Sequence, residues 1–295
     1  MHDLDGLVLG LTAAVAWGLT DTIATFASRR VGSLRATAGT QLTSVAILGL
    51  LFVATGAELP SDPAVVLTSL ACGAVAAAAY LAFFTALRWG PITVVSPVAS
   101  MYGGLTVVLA VLLLGESLAP AQALGVVAAT TGVVLAAVAF DGGLRGARPV
   151  GPGVAYAIVA LVAFAVLTVA LAGPIRAAGW LPVLLLARIA NAGTVWLILG
   201  ISRRRAVAPA SADARAVDRR ALGLVVAAGA LDIGGFIAFA VGLEIAPTWL
   251  IGLTSSFGPV IAVAAGVLVF GERPRSIQWL GLGFVAASVF LIALG

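Results

Sequence analysis

Charge is what this chain of 295 residues has least of. Only 9% of its residues are Asp, Glu, Lys or Arg, against roughly 25% in a soluble domain. Lysine is absent, so all 16 basic residues are arginine. With abundant alanine, that usage reads as the codon bias of a GC-rich bacterial genome. The chain has one histidine, His2, and one cysteine, Cys72. A lone cysteine closes no internal disulfide, and Cys72 lies in an Ala-rich run where a small apolar residue packs well. Zinc spacing, a phosphate-binding glycine loop and a Ser/His/Asp set are all missing. The chain is therefore expected to be neither an enzyme nor the carrier of a metal or cofactor. A water-soluble fold would need far more charge to cover its surface. Soluble enzymes, secreted disulfide scaffolds and disordered chains are excluded.

What fills the sequence instead is apolar: 62% of residues are hydrophobic and the mean hydropathy is +1.17. A helix crossing a bilayer needs about 20 such residues, and the composition could supply about ten. Apolar runs cover roughly 5–28, 35–55, 63–88, 92–114, 119–140, 151–173, 180–201, 219–243, 248–270 and 276–294. The fold class is an all-α polytopic membrane protein with ten transmembrane helices. The N-terminus lacks a basic signal-peptide region and its first run is too long for one, so an uncleaved first span is expected. Connections are short except Ser202 to Arg220, which leaves no room for an extramembrane domain.

The arginines set an orientation. Fourteen of them (Arg29, Arg30, Arg35, Arg88, Arg145, Arg148, Arg203 to Arg205, Arg215, Arg219, Arg220, Arg273 and Arg275) fall in the loops after odd-numbered spans. The opposite side has only Arg176, with Glu58 and Asp62. Basic loops face the cytoplasm, so both termini are expected outside, in a bacterial inner (plasma) membrane. A pI near 10.2 on such loops points to anionic lipid headgroups rather than nucleic acid.

An internal repeat is the most informative feature. Shifted by 156 positions, Leu114-Gly-Glu-Ser-Leu-Ala-Pro-Ala-Gln-Ala-Leu-Gly125 meets Phe270-Gly-Glu-Arg-Pro-Arg-Ser-Ile-Gln-Trp-Leu-Gly281 without a gap. At the same shift Pro91 meets Pro247, Ser100 meets Ser256, Phe83 meets Phe239 and Tyr80 meets Phe236. A shift of 147 pairs Gly6 with Gly153, Trp17 with Phe164 and Arg29 with Arg176. The chain divides into two five-helix repeats, 1–142 and 143–295. Five is odd, so the second repeat enters the membrane from the opposite side. Two inverted repeats around a central cavity can open that cavity to each side in turn. A duplicated membrane scaffold or sensor without transport is the alternative.

The doubled Gly-Glu-x5-Gln-x2-Gly motif, together with Trp17-Gly18 in the first span, resembles the EamA-type branch of the drug/metabolite transporter superfamily. The resemblance extends over nearly the whole chain. It implies ten helices around a central cavity and export of amino acids or related small metabolites, in a layout similar to aromatic amino-acid exporters. A carrier of drugs or other metabolites is the alternative within transport. Such proteins are commonly drawn with cytoplasmic termini, whereas the arginines here argue the reverse.

The motif also has a physical reading of its own. Gly115 and Gly271 permit the left-handed turn that ends a helix. Glu116 and Glu272 are expected near the following helix N-terminus, capping a hairpin outside the substrate site.

Charges in mid-span are costly and mark function or pairing. Asp21, Arg188 and Asp232 qualify. Arg88 and Glu244 share a repeat position at span ends and read as interfacial anchors. Arg188 meets Gln41 at the 147 shift, and Asn191 lies one turn on. A guanidinium there can grip a substrate carboxylate or hold an ion pair with Asp232 or Asp21. Trp17 with Asp21, Tyr80 with Phe84, and Asp232 with Phe236 share helix faces. With Phe164 they describe an aromatic-walled cavity for small amphipathic ligands, or ordinary packing. An Asp there could bind an ammonium group or take up a proton. Ser96, Pro97, Ser100, Tyr102 and Gly103-Gly104 in span four, with Gly252, Thr254 to Ser256 and Pro259 in span nine, read as proline hinges bearing cavity-facing hydroxyls, or as close helix packing through small residues. Ser100, Tyr102 and Ser256 complete the expected substrate-binding set. The expected partners are a small-molecule substrate and the lipid bilayer, and a single copy is expected to act as a monomer.

Overall fold

The computed structural model describes residues 2–90, 92–137, 152–205, 219–258, 260–261 and 276–294. Outside the described residues lie the expected repeat boundary at 142/143, most of the long polar connection, Pro91, Pro259, and the second Gly-Glu motif with Gly271 and Glu272. The side chains of His2, Pro97 and Gln278 lie outside them too.

Every described element is a helix. They are α1 (His2–Val31), α2 (Ser33–Thr55), α3 (Pro63–Trp89), α4 (Ile92–Ser100), α5 (Tyr102–Leu114), α6 (Pro120–Ala137), α7 (Pro152–Ala178), α8 (Trp180–Arg205), α9 (Arg219–Ile245), α10 (Thr248–Ser255) and α11 (Ser276–Leu294). Of these, α1, α2, α3, α7, α8 and α9 are each long and apolar enough to cross a membrane. Helix α1 shows how such a segment is built. Leu4, Val8, Val15 and Leu19 form an exposed stripe suited to lipid, while Ala13, Ala14, Ala24 and Ala27 are buried. Small residues on the inner stripe let neighbouring backbones approach closely, which is how helices associate in lipid.

The repeat is written into the element boundaries. Shifting α3 by 156 gives 219–245, the span of α9; shifting α2 by 147 gives 180–202, within α8. The turn glycines repeat as well. Gly32 before α2 has φ 85° and its mate Gly179 before α8 has φ 82°, a conformation that costs an L side chain roughly 1–2 kcal/mol. Gly115 ends α5 with φ 68°, the left-handed turn expected of it.

Spans four and nine break at one shared repeat position. Helix α4 stops at Ser100 and α10 at Ser255. The Met101 N–H donates to Val98 O, and its mate Phe257 N–H donates to Thr254 O, each 3.3 Å. A hinge was expected at Pro97; the interruption instead falls one turn later. There Gly103 packs against Ser256 and Gly252 of the other repeat so closely that a Cβ would stand 2.9 Å from Gly252 O. In span four the break coincides with this close approach rather than with Pro97.

Repeat mates meet across the middle of the bundle and run in opposite directions. Between α2 and α8, Gln41 contacts Arg188 and Ala38 O accepts from Trp196 Nε1 at 3.2 Å, so one index rises as the other falls. Between spans four and nine, Tyr102 meets Ser255 and Gly252 lies against Thr106, again antiparallel. The largest helix contacts join different repeats: α6 with α11, α1 with α9, and α3 with α7. Exchanging the repeats turns the α1–α9 contact into the α3–α7 contact. Gly6 lies against Ala246 in the first, and Gly153 against Gly90 in the second.

Candidate functional site

A cavity opens where α1, α3, α7, α8 and α9 meet the broken spans; the atom-free space within its outline, open solvent included, is about 1040 Å³. Its wall is largely aromatic, and the aromatics follow the repeat. Trp17 lies 4.7 Å from Phe236 and 5.3 Å from Phe239 between ring centroids. Their mates form the same trio: Phe164 lies 5.7 Å from Tyr80 and 6.0 Å from Phe83. The two trios touch through Tyr80 and Phe236 at 6.4 Å. Offset and edge-on contacts of this kind add about 0.5–1.5 kcal/mol each beyond burial, so the walls are held by the fold itself.

The charged residues break that symmetry. Under the repeat shifts Asp21 matches Thr168, Arg188 matches Gln41 and Asp232 matches Ala76. Every cavity charge thus has a neutral mate. The frame needs the aromatics twice and the charges once, which separates what builds the fold from what the cavity does.

Arg188 is the centre of the charged group, with 3% of its surface exposed. Its Nη1 donates to Gln41 Oε1 at 2.7 Å and its Nη2 to Tyr80 OH at 3.1 Å. Tyr80 OH in turn donates to Asp232 Oδ1 at 2.8 Å. Asp232 Oδ2 lies 3.2 Å from Arg188 Nη1 as an ion contact without hydrogen-bond alignment. The guanidinium also stacks 3.9 Å from the Phe236 ring centroid. Such cation–π contacts reach about 2 kcal/mol when desolvated. Asp21, on α1, accepts a hydrogen bond from Ser96 Oγ across the bundle. Among the described residues no cation pairs with Asp21.

Of the expected site residues, Trp17, Asp21, Tyr80, Phe84, Ser100, Tyr102, Phe164, Arg188, Asn191, Asp232 and Phe236 all line this cavity. Two do not. Gln41 is fully buried behind the wall, where it holds Arg188. Ser256 donates to Leu253 O at 2.6 Å and packs on Gly103. Its neighbour Ser255 takes the lining place instead, 2.7 Å from Tyr102 OH. The span-nine break rotates the hydroxyl row, which helical periodicity through residue 256 could not register. Thr20, Phe83, Thr168 and Phe239 also line the cavity beyond the expected set. The repeat was the signal for three of them, since Phe83 and Phe239 are mates and Thr168 is the mate of Asp21.

Glu116 caps a helix, but not the one expected. Its carboxylate accepts from Thr248 N and Trp249 N, both at 2.9 Å, at the N-terminus of α10. Arg176 Nη2 lies 3.3 Å away and also donates to Ala246 O and Thr248 Oγ1. The N-terminus of α6 is served by Gln122, whose Oε1 accepts from Ala119 N at 2.8 Å. Glutamine, three residues into its helix, reaches back as a cap does, which frees Glu116 to reach the neighbouring turn. Glu116→Gln is expected to cost about 1–3 kcal/mol through weakened charge-assisted bonds to the two N–H groups. Unfolding of the variant in mixed detergent–SDS micelles measures it; an unchanged midpoint would show that the cap is not formed.

Comparison with known proteins follows the same outline. The sequence profile of the EamA-like transporter family matches the chain twice, over residues 4–138 and 151–294. The fold matches 29 chains of solved structures. One of them, titled "Crystal structure of protein", superposes with a TM-score of 0.75 at 20% identity, covering 98% of this chain and 96% of its own. That likeness speaks for the fold alone. No curated protein matches the sequence.

Proposed function

Because the chain belongs to the EamA-like transporter family, whose members carry small solutes across membranes, we propose that it is a secondary exporter of amino acids or similar small amphipathic metabolites, working by alternating access. The observation that carries this reading is a cavity whose walls come from both repeats, with repeat mates antiparallel across it. Two inverted five-helix repeats, 1–142 and 143–295, would exchange unequal shapes about that cavity. The breaks at Met101 and Phe257 supply matching points of flexure in spans four and nine. Arg188 is paired with Asp232 in this arrangement; a substrate carboxylate would compete with Asp232 for it. The chain sits in a bacterial inner membrane with both termini outside, on the strength of its fourteen odd-loop arginines.

Counterflow in proteoliposomes tests the reading. Vesicles loaded with an unlabelled amino acid or related amphipathic metabolite should draw in the labelled solute faster than protein-free vesicles. No exchange across a panel of such solutes would remove the transport reading. A fluorescent reporter fused after Gly295 should stay dark if the C-terminus is outside; cytoplasmic fluorescence would invert the topology.

A further inference from the structure

Resting on the proposed transport function, and narrowing its cargo to amphipathic metabolites without a carboxylate, we infer that the charged group the cavity recognises is an ammonium: the ligand is a small organic amine with an apolar, preferably aromatic, body. Three observations converge. The described cavity wall holds two carboxylates, Asp21 and Asp232, against a single cation, Arg188. Arg188 spends its charge on Asp232 and two of its N–H groups on Gln41 and Tyr80, while Phe236 covers its face. That leaves Asp21 with a neutral hydroxyl donor, Ser96, and no counter-charge among the described residues. Independently, Asn191 is 1% exposed, lines the same cavity, and has a side-chain oxygen that no donor reaches.

What the described cavity wall lacks is therefore positive charge, and Asn191 Oδ1 lacks a donor. An ammonium supplies both, with three donors, a positive charge and no acceptor. A carboxylate would bring a like charge beside Asp21. An uncompensated carboxylate at membrane depth is costly unless a cation completes it. The rings of Trp17, Tyr80, Phe164 and Phe236 present the π faces that favour both an ammonium and an aromatic body. The other charges lining the cavity with Asp21 are Arg188 on α8 and Asp232 on α9, which pair with each other, while α3 brings Tyr80, α4 Ser96, α5 Tyr102 and α7 Thr168, all neutral.

A ladder of ligands sharing one ring and differing in charge tests this on the full-length protein in lipid nanodiscs. The probes are 2-phenylethylamine, phenylalanine, 2-phenylethanol and 3-phenylpropionate, with Kd read by calorimetry. The amine is expected to bind about ten-fold or more tighter than each of the others, and the propionate to bind weakest. Asp21→Asn should remove the preference of amine over alcohol, and Asp21→Glu should restore it. Equal affinity for amine and alcohol in the unaltered protein overturns the inference, because Asp21 is then no charged partner. Tightest binding by phenylalanine or phenylpropionate also overturns it but leaves the transport reading standing. Binding by none of the four, with no counterflow of any solute, overturns both. The wild-type ladder decides the matter even if Asp21→Asn fails to fold.

Discussion

Arg188→Ala is expected to destabilise the protein by about 3–5 kcal/mol, because it strands Asp232 as a buried carboxylate without its cation. Asp232, Tyr80 and Gln41 all direct groups at the guanidinium, so removal leaves several of them unmet at once. Asp232→Ala should cost a comparable amount for the mirrored reason. The double variant Arg188→Leu/Asp232→Leu is expected to recover much of the loss, since apolar replacement of a buried ion pair is often neutral or better. Unfolding of the wild type, Arg188→Leu, Asp232→Leu and the double variant in mixed detergent–SDS micelles closes the cycle and gives the coupling directly. Strictly additive losses would mean that the pair seen here contributes no mutual stabilisation. A transport defect in Arg188→Ala alone would therefore not identify a substrate contact; the defect has to persist in a variant whose stability is restored.

The second large effect concerns the cavity itself. Ala76 lines it at the repeat position matching Asp232, on the opposite wall of the pseudo-symmetric frame. Ala76→Trp puts an indole where the substrate would sit. Counterflow is expected to fall to the protein-free background. The stability change should stay within about 1–3 kcal/mol, the usual cost of added bulk, because the side chain enters open space rather than packed core. Transport at the wild-type rate would show that the solute path lies elsewhere.

Much of this was legible in the sequence because apolar runs and a duplicated sequence are strong signals. The length rule locates long spans such as α3 and α9, and the duplication then assigns each helix a mate. Cavity residues were legible where mid-span charge or a shared helix face marked them, as with Asp21, Asp232 and Phe236. Three things were hidden because they depend on which helices become neighbours. Glu116 sits beside its own hairpin in the chain, yet its bonds go to Thr248 and Trp249 more than a hundred residues away. Pro97 is the obvious breaker in span four, yet the interruption falls at Met101, beside the close packing of Gly103 on Gly252 and Ser256. Gln41 is the repeat mate of Arg188, but that the two would touch follows only once α2 and α8 cross the bundle side by side.

That α1 makes its main contact with α9, α3 with α7 and α6 with α11 has a consequence for biosynthesis. When the ribosome has delivered the first five segments to the membrane, they can pack on one another, but the partners of their largest contacts have not yet been translated. The early product must wait in lipid with those contact faces unclaimed. A gene split between them should yield two fragments that are each degraded when made alone and survive only when made together.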